Sequence, residues 1–176
     1  TPRKYGFHGT LKPPFKLSKG YAFTDLDAAM DELARQQPAF KIPHISLRAI
    51  GTFLAITPTE SSDELVRLAK SCVRNLDPFR ASPSEAELSR RRAANLTDAQ
   101  EYNLKRWGYP YVLSEFRFHL TLTGRLATDH IKPVTAYLQA ALAGPLATPL
   151  PVREICLFGE AIDGKFHIIK RYPLAA

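Results

Sequence analysis

Two stretches of the chain could do acid–base chemistry together. Phe7-His8-Gly9-Thr10-Leu11 and Phe118-His119-Leu120-Thr121-Leu122 both fit Phe-His-x-Thr-Leu, and the second histidine lies 111 positions after the first. Apolar neighbours and a β-branched Thr make each copy a strand candidate. Side chains two apart on a strand share a face, so His and Thr of each copy point into the same space. Two copies facing each other would gather two imidazoles and two hydroxyls around one cleft. An imidazole takes up or releases a proton near neutral pH. A hydroxyl can hydrogen-bond a phosphate oxygen.

A single His-x-Thr or His-x-Ser carries almost no information. Ser and Thr make up roughly a tenth of an average chain, so five histidines yield about half a match by chance. Three occur, and the third, His44-Ile45-Ser46, follows Pro43 and carries Ser in place of Thr. It is read as the chance match. The agreement of the flanking Phe and Leu separates His8 and His119 from ordinary half-buried strand histidines.

The elements that must position these residues follow from periodicity and punctuation. The first motif strand is expected over about 5–11, ended by Lys12-Pro13-Pro14 because proline cannot donate to a ladder. Thr24 caps a helix with Asp25 and Asp27 in its first turn, an apolar stripe of Leu26, Met30 and Leu33, and a stop at Pro38. An extended run over 40–50 changes phase at Pro43-His44, which predicts a bulge or break. A strand over 53–57 follows. Ser61-x-x-Glu64 is a capping box for a helix that buries Leu65, Leu68, Ala69, Cys72 and Leu76. Residues 79–108 read as a polar helical excursion with Arg90-Arg91-Arg92 as a solvated face and a second capping box, Thr97-x-x-Gln100, on a helix ending at Gly108. Tyr109-Pro110-Tyr111 leads into the second motif strand. A helix starting near Thr128-Asp129 is expected to bury a stripe of Ile131, Val134, Tyr137, Leu138 and Ala141 and to end at Gly144-Pro145. Two last strands, about 152–158 and 165–172, flank Asp163-Gly164, a hairpin turn signal. The second half roughly repeats the first, and strands with covering helices predict an α+β fold.

At 176 residues the chain can bury one core as a single domain over 1–176, with two lobes. No apolar run approaches a membrane span, and no secretory signal opens the sequence. Cys72 and Cys156 each sit in an apolar pattern, as buried thiols do, which suits a reducing cytoplasm. No Cys/His cluster has structural zinc spacing, and no cofactor is expected. The net charge of +7 favours anionic partners without choosing among a small phosphate ester, a nucleotide and RNA.

The paired motifs resemble those of the 2H phosphoesterase superfamily, which includes cyclic phosphodiesterases and RNA-processing enzymes. Tyr5-Gly6-Phe7-His8-Gly9-Thr10-Leu11-Lys12-Pro13-Pro14-Phe15, Trp107-Gly108-Tyr109-Pro110-Tyr111-Val112 and Phe116-Arg117-Phe118-His119-Leu120-Thr121-Leu122-Thr123-Gly124 resemble a branch associated with phosphonate operons. The resemblance implies two pseudo-symmetric lobes of antiparallel sheet with covering helices around a central cleft, the 2H/RNA-ligase-like fold. It brings His8, Thr10, His119 and Thr121 to that cleft as the catalytic set, without metal. The family carries a strand and connecting segment ahead of its first motif, so residues preceding Thr1 are expected; loss of an initiator Met is the alternative. The implied activity is hydrolysis of a small cyclic or nucleotide-like phosphate ester, with one His as base and the other as acid. Lys12 would share the face of Thr10 if the strand continues, and Thr123 is its counterpart. Tyr109 could stack on a base. RNA end processing by 2′,3′-cyclic phosphodiesterase or ligase chemistry is an alternative. A phosphate-ligand or RNA binding module without turnover is another, although no aromatic-basic signature for RNA is clear.

Overall fold

Apolar stripes, prolines and glycines set the order of elements in the computed structural model, which describes residues 2–176. Helix α1 (Pro2–Tyr5) is followed by α2 (Phe23–Arg35), then strands β1 (Phe40–Ile42), β2 (Ile45–Ile50) and β3 (Phe53–Pro58). Helices α3 (Asp63–Asn75), α4 (Glu85–Arg92) and α5 (Asp98–Trp107) come next, then a 3-10 turn (Leu113–Glu115) and the short strand β4 (Leu120–Thr121). Helices α6 (Thr128–Ala141) and α7 (Ala143–Leu146) and strands β5 (Leu150–Val152), β6 (Glu154–Glu160) and β7 (Phe166–Pro173) complete the order. The protein is α+β, and its strand pairs are antiparallel.

The chain divides into two compact units. The first takes the described residues through Thr10, Pro38–Ser62 and Phe118–Ala176; the second takes Leu11–Gln37 and Asp63–Arg117. All the strands named above lie in the first unit. There β2, β3 and β4 form one sheet in that order, β1 pairs with β5, and β6 pairs with β7. Helix α6 packs on β2 and β3 with Ile131, Val134, Thr135 and Leu138 half-buried at helical spacing, whereas Tyr137 and Ala141, expected in the buried stripe, fall off that face and are exposed. Leu54, Ile56 and Leu120 are buried at the centre of that sheet.

The second unit is helical. Its core takes Leu26, Met30 and Leu33 from α2, Leu65, Leu68, Ala69 and Cys72 from α3 and Leu76 just past it, as the stripes predict, with Val73 in addition. Burial drives the Cys72 thiol up to about 12, so it stays protonated. Asp77, just past α3, pairs with Arg80, Arg106 and Lys12. Burial opposes its ionisation, but the hydrogen bond and charge of Arg80, with Lys12 and Arg106, hold its carboxyl below the usual range. Buried Asn103 donates its amide to the carbonyls of Pro110 and Val112, which pins the Tyr109–Tyr111 segment. The arginine run is largely committed to ion pairs, Arg91 with Glu87 and Arg92 with Glu101.

Several expectations are corrected. The first motif is no strand over 5–11: residues through Tyr5 are helical, and Gly6 turns the chain at φ +70°. Ala22 rather than Thr24 precedes α2, and its backbone N–H donates to the Asp25 carboxylate. Helix α3 begins at Asp63, so Ser62, not Ser61, precedes it. Gly144 and Pro145 do not stop the chain but form the short α7. The phase change at Pro43-His44 separates two strands that join different sheets. The Thr97 capping box and the left-handed Gly108 stop are as expected.

Candidate functional site

The first unit holds both motifs, and a backbone pairing joins them. Gly9 forms an isolated antiparallel bridge with Leu120, the middle residues of the two His-x-Thr triplets. Opposed residues in an antiparallel pair share a face, and their neighbours share the other. Leu120 is buried. His8, Thr10, His119 and Thr121 therefore lie together on the face opposite Leu120. His8 is diagonal to His119 across the pair, a relation in which neighbours lie roughly 7–8 Å apart with their Cβ atoms somewhat closer. Both rings are half-buried, and Thr10 is exposed.

Gly9 permits this approach. A Cβ placed there would lie 2.2 Å from Cε2 and 2.4 Å from Cζ of Phe118. The aromatic ring of one motif thus covers the glycine of the other. The reverse contact cannot form, because Leu120 fills the matching space, and Phe7 is left 63% exposed.

His8 is oriented from its own segment. Its Nδ1 lies 3.1 Å from the Gly6 carbonyl oxygen, which can only accept, so Nδ1 carries the hydrogen. The positive φ of Gly6 belongs to the turn that places this carbonyl two residues before the ring. Nε2 then faces Thr10, with the hydroxyl oxygen 3.1 Å away. A neutral His8 accepts from Thr10 through Nε2, and a protonated one donates. Tyr5 and Phe158 flank the ring at 5.7 and 5.6 Å between centroids, and Phe53 lies 6.0 Å from the His119 ring. Sequence reasoning did not single out these aromatics. A signal existed for Phe53 and for Phe166, which stacks on Tyr5 at 4.7 Å: each is the first residue after a hairpin turn, on β3 and on β7.

The other candidates are placed differently. Lys12 belongs to the second unit, where residues 11–12 are a bend, so the strand does not carry it onto the face of Thr10. Its side chain is 6% exposed, pairs with Asp77 and donates to the Val73 carbonyl. Burial lowers its pKa to about 8, with Asp77 opposing the fall. Thr123 accepts the Leu54 N–H and donates to the Gly124 carbonyl, so its hydroxyl ties β3 to the segment after β4. Tyr109, in the second unit, has the Arg91 guanidinium 4.6 Å above its ring. A cavity of about 110 Å³ in that unit is lined by Lys12, Lys16, Arg80, Ser84 and Trp107, and two of the three cations at its wall, Lys12 and Arg80, are paired with Asp77. His44 is exposed, and its carbonyl accepts from Thr59. Among the described residues no three His, Cys, Asp or Glu side chains converge as a metal site, and no helix is long and apolar enough to cross a membrane.

These features define an α+β protein that carries two His-x-Thr motifs on one face of a paired backbone. The chain belongs to the family described as Protein of unknown function (DUF1045), whose model matches residues 10–167. It is 35% identical over 166 residues to a ribose 1,5-bisphosphate phosphokinase PhnN of Janthinobacterium sp. (strain Marseille), covering 92% of this chain and 37% of the relative. It is 32% identical over 162 residues to the protein of the same name from Laribacter hongkongensis (strain HLHK9), again covering 92% of this chain and 37% of the relative. The chain thus spans little more than a third of the length of the curated relatives it matches.

Proposed function

We propose that this chain is a 2H-type, metal-independent phosphodiesterase that opens a small cyclic phosphate ester of a phosphorylated sugar. The observation that carries the reading is the Gly9–Leu120 bridge, which gathers two imidazoles and two hydroxyls on one face. One neutral imidazole takes a proton from the attacking water as its oxygen bonds phosphorus. The other, as imidazolium, gives a proton to the ester oxygen that leaves. Each such group contributes roughly 10²–10⁴-fold. Thr10 and Thr121 hydrogen-bond the non-bridging oxygens, where charge builds.

A pseudo-twofold arrangement supports the same reading. Gly9 and Leu120 are equivalent residues of a repeat offset by 111 positions, and they pair with each other. The β1–β5 ladder is centred on Lys41 and Pro151, offset by 110. Equivalent residues that pair antiparallel lie about a twofold axis. The order helix, strand, hairpin follows both motifs: α2, β1, β2–β3 after the first and α6, β5, β6–β7 after the second, with α7 added. About such an axis His8 and His119 would face a phosphate from opposite sides.

The kinase name of the relatives belongs to proteins of which this chain matches 37%. A nucleotide kinase's phosphate-cradling loop needs Gly-x4-Gly-Lys-Ser/Thr between a strand and a helix. The nearest approach here, Gly159 to Phe166, has Phe at the hydroxyl position and forms the β6–β7 turn. This supports placing phosphoryl transfer in the part of the relatives that the chain does not match. The ribose bisphosphate in the relatives' name and the resemblance to phosphonate-operon proteins favour a cyclic ribose phosphate over RNA.

The test is turnover of cyclic ribose phosphates in the presence of EDTA by the wild type and by His8→Ala and His119→Ala. Hydrolysis that survives chelation and falls by at least 10²-fold in each variant is expected. Loss on chelation with recovery on adding a divalent metal refutes the mechanism.

A further inference from the structure

The site face extends across the sheet to a cation that the hydrolytic mechanism leaves unused. Thr121 pairs with Ala55 on β3, and Ala55 pairs with Arg48 on β2. Opposed residues share a face, so Arg48, Ala55 and Thr121 form one row on the side of His8 and His119. Arg48 is exposed. Among the described residues it makes no ion pair, and its Nε donates to the Ser46 hydroxyl at 3.2 Å. That contact leaves both terminal nitrogens of the guanidinium for another acceptor. Ala55 stands between them in that row and is fully buried, but no long side chain of β3 itself separates Arg48 from Thr121 there. Strand β2 lies two strand spacings, about 10 Å, from β4.

The second hairpin gives an independent indication of reach. The β2–β3 hairpin closes at Ile50 and Phe53, and the β6–β7 hairpin closes at Glu160 and Phe166. Two residues before each closing pair stand Arg48 and Phe158. Phe158 sits 5.6 Å from the ring of His8. A side chain at this hairpin position therefore reaches the histidine of the other repeat, which for Arg48 is His119. The repeat places an aromatic ring at one end of the constellation and a guanidinium at the other.

We propose that Arg48 binds a second phosphate of the substrate, so that this face selects a sugar bearing a phosphate monoester in addition to the cyclic phosphodiester. The inference rests on the phosphodiesterase reading above for its placement relative to the reacting group. A guanidinium offers paired donors in a fixed fork, which suits the oxygens of a phosphate monoester. A monoester at pH 7 carries more charge than a diester, so the gain falls on substrates with that second group. Charge-assisted hydrogen bonds of this kind are worth about 10- to 100-fold in affinity.

The experiment is isothermal titration of the full chain with ribose 1,5-bisphosphate and with ribose 1-phosphate, which lacks the second phosphate, for the wild type, Arg48→Gln and Arg48→Lys. The wild type is expected to bind the bisphosphate about 10- to 100-fold more tightly than the monophosphate. Arg48→Gln should abolish that preference while the monophosphate affinity stays within about threefold, and Arg48→Lys should restore part of it. The proposal is overturned if Arg48→Gln weakens both ligands equally, if it changes neither, or if the folded wild type binds neither. Repeating the titration on His8→Ala separates the two ideas. If the preference depends on Arg48 but no cyclic ester is ever hydrolysed, the phosphodiesterase reading fails and the phosphate site stands. If cyclic esters are hydrolysed but Arg48→Gln keeps the full preference, the assignment of Arg48 fails alone.

Discussion

Replacing Gly9 with alanine tests the contact on which the constellation depends. Gly9 does not adopt a positive φ, so alanine meets no backbone strain, and its effect is steric. The new methyl would sit 2.2 and 2.4 Å from two carbons of the Phe118 ring and 3.2 Å from Leu120 Cδ2. Carbon atoms prefer about 3.5–4.0 Å, so the overlap with the ring exceeds 1 Å. Either the half-buried ring swings out or the two motifs separate. Overpacking of this kind costs about 1–3 kcal/mol. Urea unfolding of Gly9→Ala, Phe118→Ala and the double variant gives the coupling directly. Because Phe118→Ala removes the obstruction, the double variant should be more stable than the summed single effects predict, by at least about 1 kcal/mol. Turnover should follow the geometry, with Gly9→Ala depressing kcat and the double variant recovering part of it. A Gly9→Ala protein within about 0.5 kcal/mol of wild type, with no coupling to Phe118, would show that the motifs do not approach as described.

Two further outcomes follow from the same face and from its neighbouring unit. With one imidazole neutral and the other protonated in the active form, kcat/KM should be bell-shaped in pH, and the His8→Ala/His119→Ala double variant should fall little below either single one. His44→Ala should leave turnover unchanged, and a folded His44→Ala protein without activity would show that the wrong histidines are paired. Lys12 makes a stability prediction: its pKa is held at about 8 in the folded chain against 10.5 ordinarily, so the folded state binds fewer protons between those values. The stability of wild type relative to Lys12→Met should therefore rise as pH climbs from about 8 to about 10.5, and urea midpoints that stay level across that window would contradict the burial of this ammonium. A tenfold loss of kcat/KM in Lys12→Met without a change in stability would instead make Lys12 a substrate contact.

The sequence was most informative where a pattern had one physical reading. The stripes of α2 and α3, the Thr97 box and the stop at Gly108 all formed, because caps and apolar periodicity act over a few residues. The repeat identified the histidines without showing how they would meet. The first motif met the second through one bridge rather than a strand of its own, since Gly6 and the two prolines leave few residues free to extend. Lys12 was misplaced for the same reason: it was put on the face of Thr10 by assuming that a strand ran through a bend. Arg48 carried no local signal. It reached the site face only through two successive registers, from β4 to β3 and from β3 to β2, which no short window encodes.

The interleaving of the two units has a consequence for biosynthesis. The first unit draws on the beginning, middle and end of the chain, whereas the second lies within the intervals between them. Gly9 waits 111 residues for Leu120, and at about 5–20 residues per second that is on the order of ten seconds of translation. During this time the helices α2 to α5 emerge with everything they need to pack, while the edge left by the first motif has no mate. Closing a loop of that length costs about 4 kcal/mol in chain entropy. The N–H of Ala39 donates to the carbonyl of Ala175, so even β1 is anchored by almost the last residue of the sequence. A ribosome-bound chain halted before the second motif would carry the first motif with no partner for Gly9, so the two His-x-Thr triplets can pair only after Leu120 has been made.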